Sequence, residues 1–343
     1  MCFKNSFLLI ISLMFLFVVA CNSGNETVES TTDTVMATME PSTVVESDTK
    51  EEINEVEDQN VKPHYPLVVT DMLGRKVELK EEPKKIIGIS PTAMEMLYAI
   101  GGQAVGRDNG SKWNSSVEAL PSVGGAYNPN IEAIVELGPS LIIIEALTQG
   151  HMVDRLASIG VPILAVRAAS VKDVKNGLVL LGKAINKGDR AKESAEDMDY
   201  RIETAVSGVN ESRSLLVLIS DADRNLYAAL PNSYAGAILD AMNLSNVASA
   251  FSESGPYPGY SLFSSEQAIA SNPDVILTIS PAPEPAPKLS TMLPRIPGYS
   301  ELKAVTNSRV SEVSVDLFLQ VPGPRIVDAI EELSTIIGEM KFE

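Results

Sequence analysis

From Tyr65 onward the apolar positions follow two alternating patterns, short unbroken runs and helical spacing. "YPLVVTDMLGRKVELKEEP" places two β-rich runs on either side of Asp71 to Gly74, which predicts a hairpin. "KKIIGIS" reads as a buried strand, and "PTAMEMLYAIG" sets Met94, Leu97, Tyr98 and Ile100 on one helical face closed by Gly101 and Gly102. The alternation continues through "LIIIEA" (strand), "HMVDRLASIG" (helix), "VPILAV" (strand) and "VKDVKNGLVLLGKAI" (helix). A long charged helix is predicted over "GDRAKESAEDMDYRIETAVSGVN", with Gly208 near its end. Strand and helix then resume in "RSLLVLIS", "SYAGAILDAMN", "SEQAIASN", "DVILTIS", "SRVSEVS" and "PRIVDAIEELSTIIGEM". Unbroken Ile/Leu/Val strands alternating with helices predict an α/β fold with parallel sheet covered on both faces.

One phrase occurs twice, on either side of the charged helix. In "PNIEAIVELGPSLII" and "FSSEQAIASNPDVIL", a glutamate stands seven residues before a proline: Glu132 before Pro139, and Glu266 before Pro273. A single large α/β domain accommodates this pattern, and so do two similar lobes joined by one long helix; the duplication favours the lobes. Both glutamates fall in the first turn of a predicted helix, where a carboxylate interacts favourably with the helix dipole. An acid/base pair of the glycosidase kind requires carboxylates about 5–9.5 Å apart. Equivalent positions on separate lobes should lie much farther apart.

The N-terminus changes the picture of where the chain resides. "MCFKNSFLLIISLMFLFVVAC" has a short basic start at Lys4 and an apolar run from Phe7 to Ala20, too short to span a bilayer comfortably. It ends in Val18, Val19, Ala20 and Cys21, which resembles a bacterial lipobox, with cleavage before a lipidated Cys21. Several acyl chains on one residue give stable anchoring. The alternatives are an ordinary signal peptide or a short anchor with an incidental cysteine. Cys2 leaves with the signal and Cys21 carries lipid, so no disulfide or thiolate metal site is expected in the mature chain.

Half of the formal charge of −18 is concentrated just after this segment: residues 22–62 hold eleven Asp/Glu against two Lys, a net of −9. This Ser/Thr/Glu-rich stretch has too little apolar surface to offset its ordering entropy and reads as a disordered tether. The acidity also argues against non-specific nucleic-acid binding. "GGQAVGRDNG" lacks the Gly-Lys-Ser/Thr ending of a phosphate loop, and no Gly-x-Ser-x-Gly nucleophile elbow occurs.

Several of these phrases are linked in order. "VTDMLGRKVEL", "PKKIIGISPTAMEMLYAIGGQAVGRD" and "LPSVGGAYNPNIEAIVELGPSLIII" resemble the first lobe of ABC-importer substrate-binding proteins of the cobalamin, ferric-siderophore and haem type. "GYSLFSSEQAIASNPDVILTIS" and "VPGPRIVDAIEEL" resemble the second lobe. The resemblance implies two Rossmann-like lobes with central parallel sheets, joined by a single long interdomain helix, with the ligand held between them. It implies a signal over residues 1–20, a lipidated tether over 21–62, lobes over 63–187 and 211–343, and a bridging helix over 188–210. Such a protein is a monomer outside the cytoplasm, lipid-anchored to the cell membrane (periplasmic where the cell has an outer membrane). It is not an enzyme and has no intrinsic cofactor. It delivers its ligand to the transmembrane subunits of an importer that hydrolyses ATP elsewhere. In similar proteins one glutamate per lobe pairs with arginines of those subunits, so the resemblance makes Glu132 and Glu266 docking residues. A surface sensor or adhesin that keeps the binding fold is the alternative; a chelatase-like or hydrolytic enzyme on the same frame has less to support it.

Ligand contacts are expected from loops after strands, at the lobe interface. In the first lobe these are Ser90, Pro91, Arg107, Trp113, Tyr127 and His151; in the second, Arg224, Tyr227, Tyr234, Tyr257, Tyr260 and Phe318. Amphipathic rings suit a large ligand with polar edges, such as an iron chelate, haem or cobalamin. With thiolate absent, Tyr127 and His151 are the candidate axial ligands for a haem or ferric ligand. The haem-type branch places tyrosine directly after Val-Gly, where this chain has Gly125. Arg325 is expected to salt-bridge a helix start, with a ligand carboxylate as the alternative partner. "SPAPEPAPKL" should form a stiff extended loop near the cleft mouth.

Overall fold

The computed structural model describes residues 63–209, 212–282 and 285–342. The signal, Cys21 and the whole acidic tether lie outside the described residues, as do Pro283 and Glu284 of the Pro-rich loop. The strands, in chain order, are β1 (Leu67–Thr70), β2 (Lys76–Leu79), β3 (Ile86–Gly88), β4 (Gly106–Arg107), β5 (Gly124–Gly125), β6 (Asn128–Pro129) and β7 (Leu141–Glu145). They continue as β8 (Ile163–Val166), β9 (Ser214–Ser220), β10 (Leu226–Ala229), β11 (Ser245–Asn246), β12 (Tyr260–Leu262), β13 (Val275–Ile279) and β14 (Val310–Glu312). The α-helices are α1 (Pro91–Ala99), α2 (Ser115–Glu118), α3 (Ile131–Leu137), α4 (Ala146–Gln149), α5 (Val153–Ala157) and α6 (Val171–Ala184). After them come α7 (Gly188–Val206), α8 (Tyr234–Ala241), α9 (Ser265–Ser271), α10 (Leu289–Met292), α11 (Lys303–Thr306) and α12 (Ile326–Glu339).

Two sheets organise these elements. Before α7 lies a four-stranded, all-parallel sheet in the order β4-β3-β7-β8. After α7 lies a six-stranded sheet in the order β12-β10-β9-β13-β14, with β11 also paired to β9. In the second sheet β9, β11, β13 and β14 are parallel, whereas β10 runs antiparallel to both β9 and β12. The parallel centre accords with the expected fold class, and the antiparallel side has a local cause. Only Asp221 to Asn225 separate β9 from β10, too few residues for a parallel crossover.

The unbroken apolar strands are buried on both faces. In β7, Leu141 and Ile143 enter one core while Ile142 and Ile144 enter another. In β9, Leu215, Val217 and Ile219 face the first of these cores, and Leu216 and Leu218 face a third. Period-two side-chain alternation thus divides each sheet between two cores. The shared core contains side chains of both sheets together with Ala191 and Met198 of α7 and Ile326, Ile330 and Leu333 of α12.

The charged helix α7 ends at Val206, about one turn before the expected limit. It packs against α6 and α12. Arg201 donates to Asp328 at 2.7 Å and, through a fork, to Glu331 at 2.8 and 2.6 Å. These paired bonds hold the Glu331 carboxyl below its usual range. The Ser334 hydroxyl donates to the Ala205 carbonyl at 2.6 Å. Among the described residues no helix is long and apolar enough to cross a membrane.

Candidate functional site at the carboxyl edges of two sheets

The carboxyl ends of β3, β4 and β7 meet in the first sheet, and those of β9, β13 and β14 in the second. Open α/β sheets bind ligands at such edges, because connecting loops leave there and helix N-termini point toward them. At the first edge the side chains chiefly fix the loops. Gln149 is fully buried; its Nε2 donates to the carbonyls of Ile89 and Ala126, both at 2.7 Å, and its Oε1 accepts from the Glu145 N–H at 2.8 Å. It therefore ties the turn carrying Tyr127 to the segment leading to His151, which brings together two candidates 24 positions apart in the sequence. Gln149 was not anticipated from the sequence: a glutamine in a loop carries no distinctive pattern.

Several anticipated ligand contacts have structural roles instead. Ser90 is buried, and its hydroxyl accepts from the Ala93 N–H at 3.1 Å, which caps α1; Pro91 occupies the first turn. Arg107 is buried and donates to the carbonyls of Asp108 at 2.8 Å and Glu118 at 2.9 Å, so its fork braces a loop. Next to it, burial pushes the Asp108 carboxyl up, against hydrogen bonds from Ser111 and the Gly110 N–H. Phe318 is 1% exposed and belongs to the shared core. Tyr260, 4% exposed, is a strand residue with an unpartnered hydroxyl whose pKa burial raises. Tyr227 is also a buried strand residue; its hydroxyl donates to Asp221 at 2.8 Å and its ring meets Tyr257 edge-on at 4.9 Å. Each of these side chains already has a partner or a packed site in the fold and presents little to a ligand.

Other candidates are accessible. Tyr127 is 72% exposed at the tip of the β5–β6 turn, and His151 is exposed in a short 3₁₀ turn. Trp113 is partly exposed, edge-on to Tyr98 at 5.6 Å. Arg224 is exposed with a left-handed φ of 66° in the β9–β10 turn. Among the described residues no group of three or more His, Cys, Asp or Glu side chains could hold a metal ion.

A buried contact joins the two lobes. The Nε of Arg325, ahead of α12, donates to Glu95 Oε1 at 2.8 Å; Glu95 sits on α1, and its Oε2 is buried without a partner. Burial raises the Glu95 carboxyl to about 7 despite the opposing pull of Arg325. The Tyr234 hydroxyl, also pushed up by burial, accepts from the Gly323 N–H at 3.3 Å in the same contact. Tyr234 and Arg325 thus belong to the lobe junction.

The two glutamates of the repeated phrase are exposed, each in the first turn of its helix. Asn130 caps α3, and a reciprocal Ser264–Gln267 capping box starts α9. The Glu266 carboxyl is lowered by its own backbone N–H and by Ser264. Neither glutamate forms an ion pair among the described residues.

Comparisons with known proteins agree with this architecture. The chain is 25% identical over 290 residues to the uncharacterized ABC transporter substrate-binding lipoprotein YvrC of Bacillus subtilis, covering 81% of this chain and 88% of that protein. It is 23% identical over 275 residues to a cobalamin-binding protein of Halobacterium salinarum, covering 79% and 73%. Among solved structures, the petrobactin-binding protein YclQ of Bacillus subtilis shares the fold with a TM-score of 0.69 at 20% identity, covering 80% of this chain and 99% of that one. Residues 86–315, which take in both of the large sheets, match the family described as periplasmic binding protein, and the chain belongs to that family.

Proposed function

We propose that this chain is a lipid-anchored, extracytoplasmic solute-binding protein that captures a ferric siderophore, haem or cobalamin between its lobes and delivers it to an ABC importer. The observation that carries this reading is the matched pair of exposed, unpaired carboxylates, Glu132 and Glu266, each in the first turn of a capped helix. A carboxylate accepts the bidentate fork of an arginine. One such point per lobe would orient the protein on the importer and register the position of both lobes. Cys21 would hold it at the membrane, and residues 22–62 would give it reach. The names of relatives and structural neighbours supply the ligand classes: a cobalamin-binding, a petrobactin-binding and a haem-binding protein. The accessible Trp113, Tyr127 and His151 are the side chains most available to a ring-bearing ligand from the first lobe.

Absorption spectra of the purified protein, before and after addition of haem, cyanocobalamin or a ferric siderophore, test the ligand class. One of these should change the spectrum and raise the melting temperature. A Soret band that is lost in Tyr127→Phe would assign haem. Absence of any spectral change and any thermal shift with all three would remove the whole class.

A further inference from the structure

The geometry points to a carboxylate-binding subsite in the second lobe, between the β9–β10 turn and residues 287–296, which selects ligands that carry an anionic group on an apolar body. This inference rests on the reading of the chain as a solute-binding protein and adds the charge of the solute. The cavity has a volume of about 560 Å³. It lies where β9 ends at Ser220, on the carboxyl edge of the second sheet. Its walls include Leu226, Leu289, Met292 and Ile296, and its charged side chains are Asp221, Arg224 and Arg295.

The partners of the arginines make this cavity distinctive. The chain has eleven arginines, all among the described residues. Five form ion pairs with carboxylates. Arg107 and Arg155 donate to backbone carbonyls, and Arg213 and Arg309 stack on the Phe342 ring. Arg224 and Arg295 are the two that remain, their guanidinium groups without a hydrogen bond or ion pair among the described residues, and both line this cavity. In a chain of net charge −18, carboxylates are abundant, so two unpaired guanidinium groups beside one apolar wall suit an external anion.

Among the described residues, the one carboxylate that lines the cavity is already engaged. Asp221 Oδ2 accepts from the Tyr227 hydroxyl and Asn225 Nδ2, each at 2.8 Å, while Oδ1 accepts from the Asn225 N–H at 2.8 Å. These bonds lower the Asp221 pKa, the largest effect coming from Asn225, and fix the turn. The same turn holds Arg224 at a φ of 66°, a region that a non-glycine residue adopts at some cost. A strained, pinned turn that presents an unpaired cation to an apolar cavity is preorganised for a ligand.

A matched pair of probes separates charge from greasiness: fluorescence titration of the purified protein with 1-pyrenebutyrate and with 1-pyrenebutanol. The native protein should bind the acid at least about tenfold more tightly than the alcohol, as expected for charge-assisted bonds. Raising the salt concentration should narrow that gap. In Arg224→Gln/Arg295→Gln the preference should vanish while the melting temperature holds, because neither side chain bonds to the fold. Arg224→Lys/Arg295→Lys should keep part of it. Equal affinity for acid and alcohol in the native protein would overturn the inference, and so would a preference that survives the double Gln substitution. Parallel titrations with haem, which bears two carboxylates, and cyanocobalamin, whose periphery carries amides, address the ligand class itself. If no metal complex binds but pyrenebutyrate binds through the arginines, the proposed cargo falls and the anion subsite stands.

Discussion

Glu95 shows how one buried side chain can make the joint between the lobes sensitive to pH. Its carboxyl is 8% exposed, accepts one bond from Arg325 and leaves Oε2 unpartnered. Desolvation outweighs that bond, so the folded pKa rises from 4.5 to about 7. The folded chain therefore keeps a proton that the unfolded chain releases near its ordinary value. The stability contributed by this group is complete below about pH 4.5, declines as pH rises, and is gone above about pH 7. The shift corresponds to an upper bound of about 3 kcal/mol. Asp316 and Asp328 also raise it, while Arg325 opposes them. Glu95→Gln should flatten the decline in urea-unfolding free energy between pH 4.5 and pH 7; a curve parallel to that of the native protein would show that Glu95 does not titrate there.

Tyr260 illustrates the same bookkeeping without charge. Its hydroxyl is buried and unbonded, so Tyr260→Phe removes a group that lost its water for nothing. Urea unfolding should show Tyr260→Phe equal to the native protein or up to about 1 kcal/mol more stable. A loss beyond about 1 kcal/mol would mean that the hydroxyl has a partner. Neither residue could be ranked from the sequence. Ser90, Arg107 and Tyr260 are the residue types that also line ligand sites, and their own loops or strands engage them. A one-dimensional pattern shows a polar or aromatic side chain near a strand end but not the carbonyl or packed wall it meets.

At the scale of elements, the unbroken runs of β7, β9 and β13 were legible because a parallel strand covered on both faces needs apolar residues at every position. β10 and β12 were not. Both are short segments next to one edge of the sheet, and their Tyr227 and Tyr260 resembled loop aromatics until pairing made them strand residues. The packing of α6 on α7 was also hidden, because it depends on an absent side chain. A Cβ at Gly182 would lie 2.5 Å from Ala191 Cβ and 3.0 Å from the Lys187 carbonyl oxygen, so the helices meet where glycine leaves room. Gly182→Val should force them apart and cost about 1–3 kcal/mol by overpacking, in spite of the higher helix propensity of valine. Chemical denaturation measures this, and an unchanged midpoint would mean that the helix pair yields freely.

Across the whole molecule, the repeated phrase marks the same unit in each lobe: a capped short helix with an exposed glutamate, a left-handed residue at Gly138 or Asn272, and a strand in the sheet. Most internal features of that unit serve the fold. The helix caps satisfy backbone donors, and Pro139 and Pro273 are buried. Beyond a favourable place near a helix start, worth about 0.3–1 kcal/mol each at low salt, the fold uses only the Glu266 carboxylate, through local bonds to its own N–H and to Ser264. That small stake makes docking separable from stability. Glu132→Ala/Glu266→Ala should lower the melting temperature by only a few degrees. Under the proposed reading it should leave the affinity for the ligand unchanged, because the two carboxylates are assigned to docking and the ligand to the loops between the lobes. If the glutamates dock the importer as proposed, uptake of the ligand in cells carrying the importer should fall by tenfold or more, with each single substitution intermediate, since each would remove one of two charged anchors. Transport at the native rate by the double variant would sink the docking role while leaving ligand capture untouched. Loss of ligand affinity together with transport would instead place the glutamates in the binding site and require a different account of the repeat.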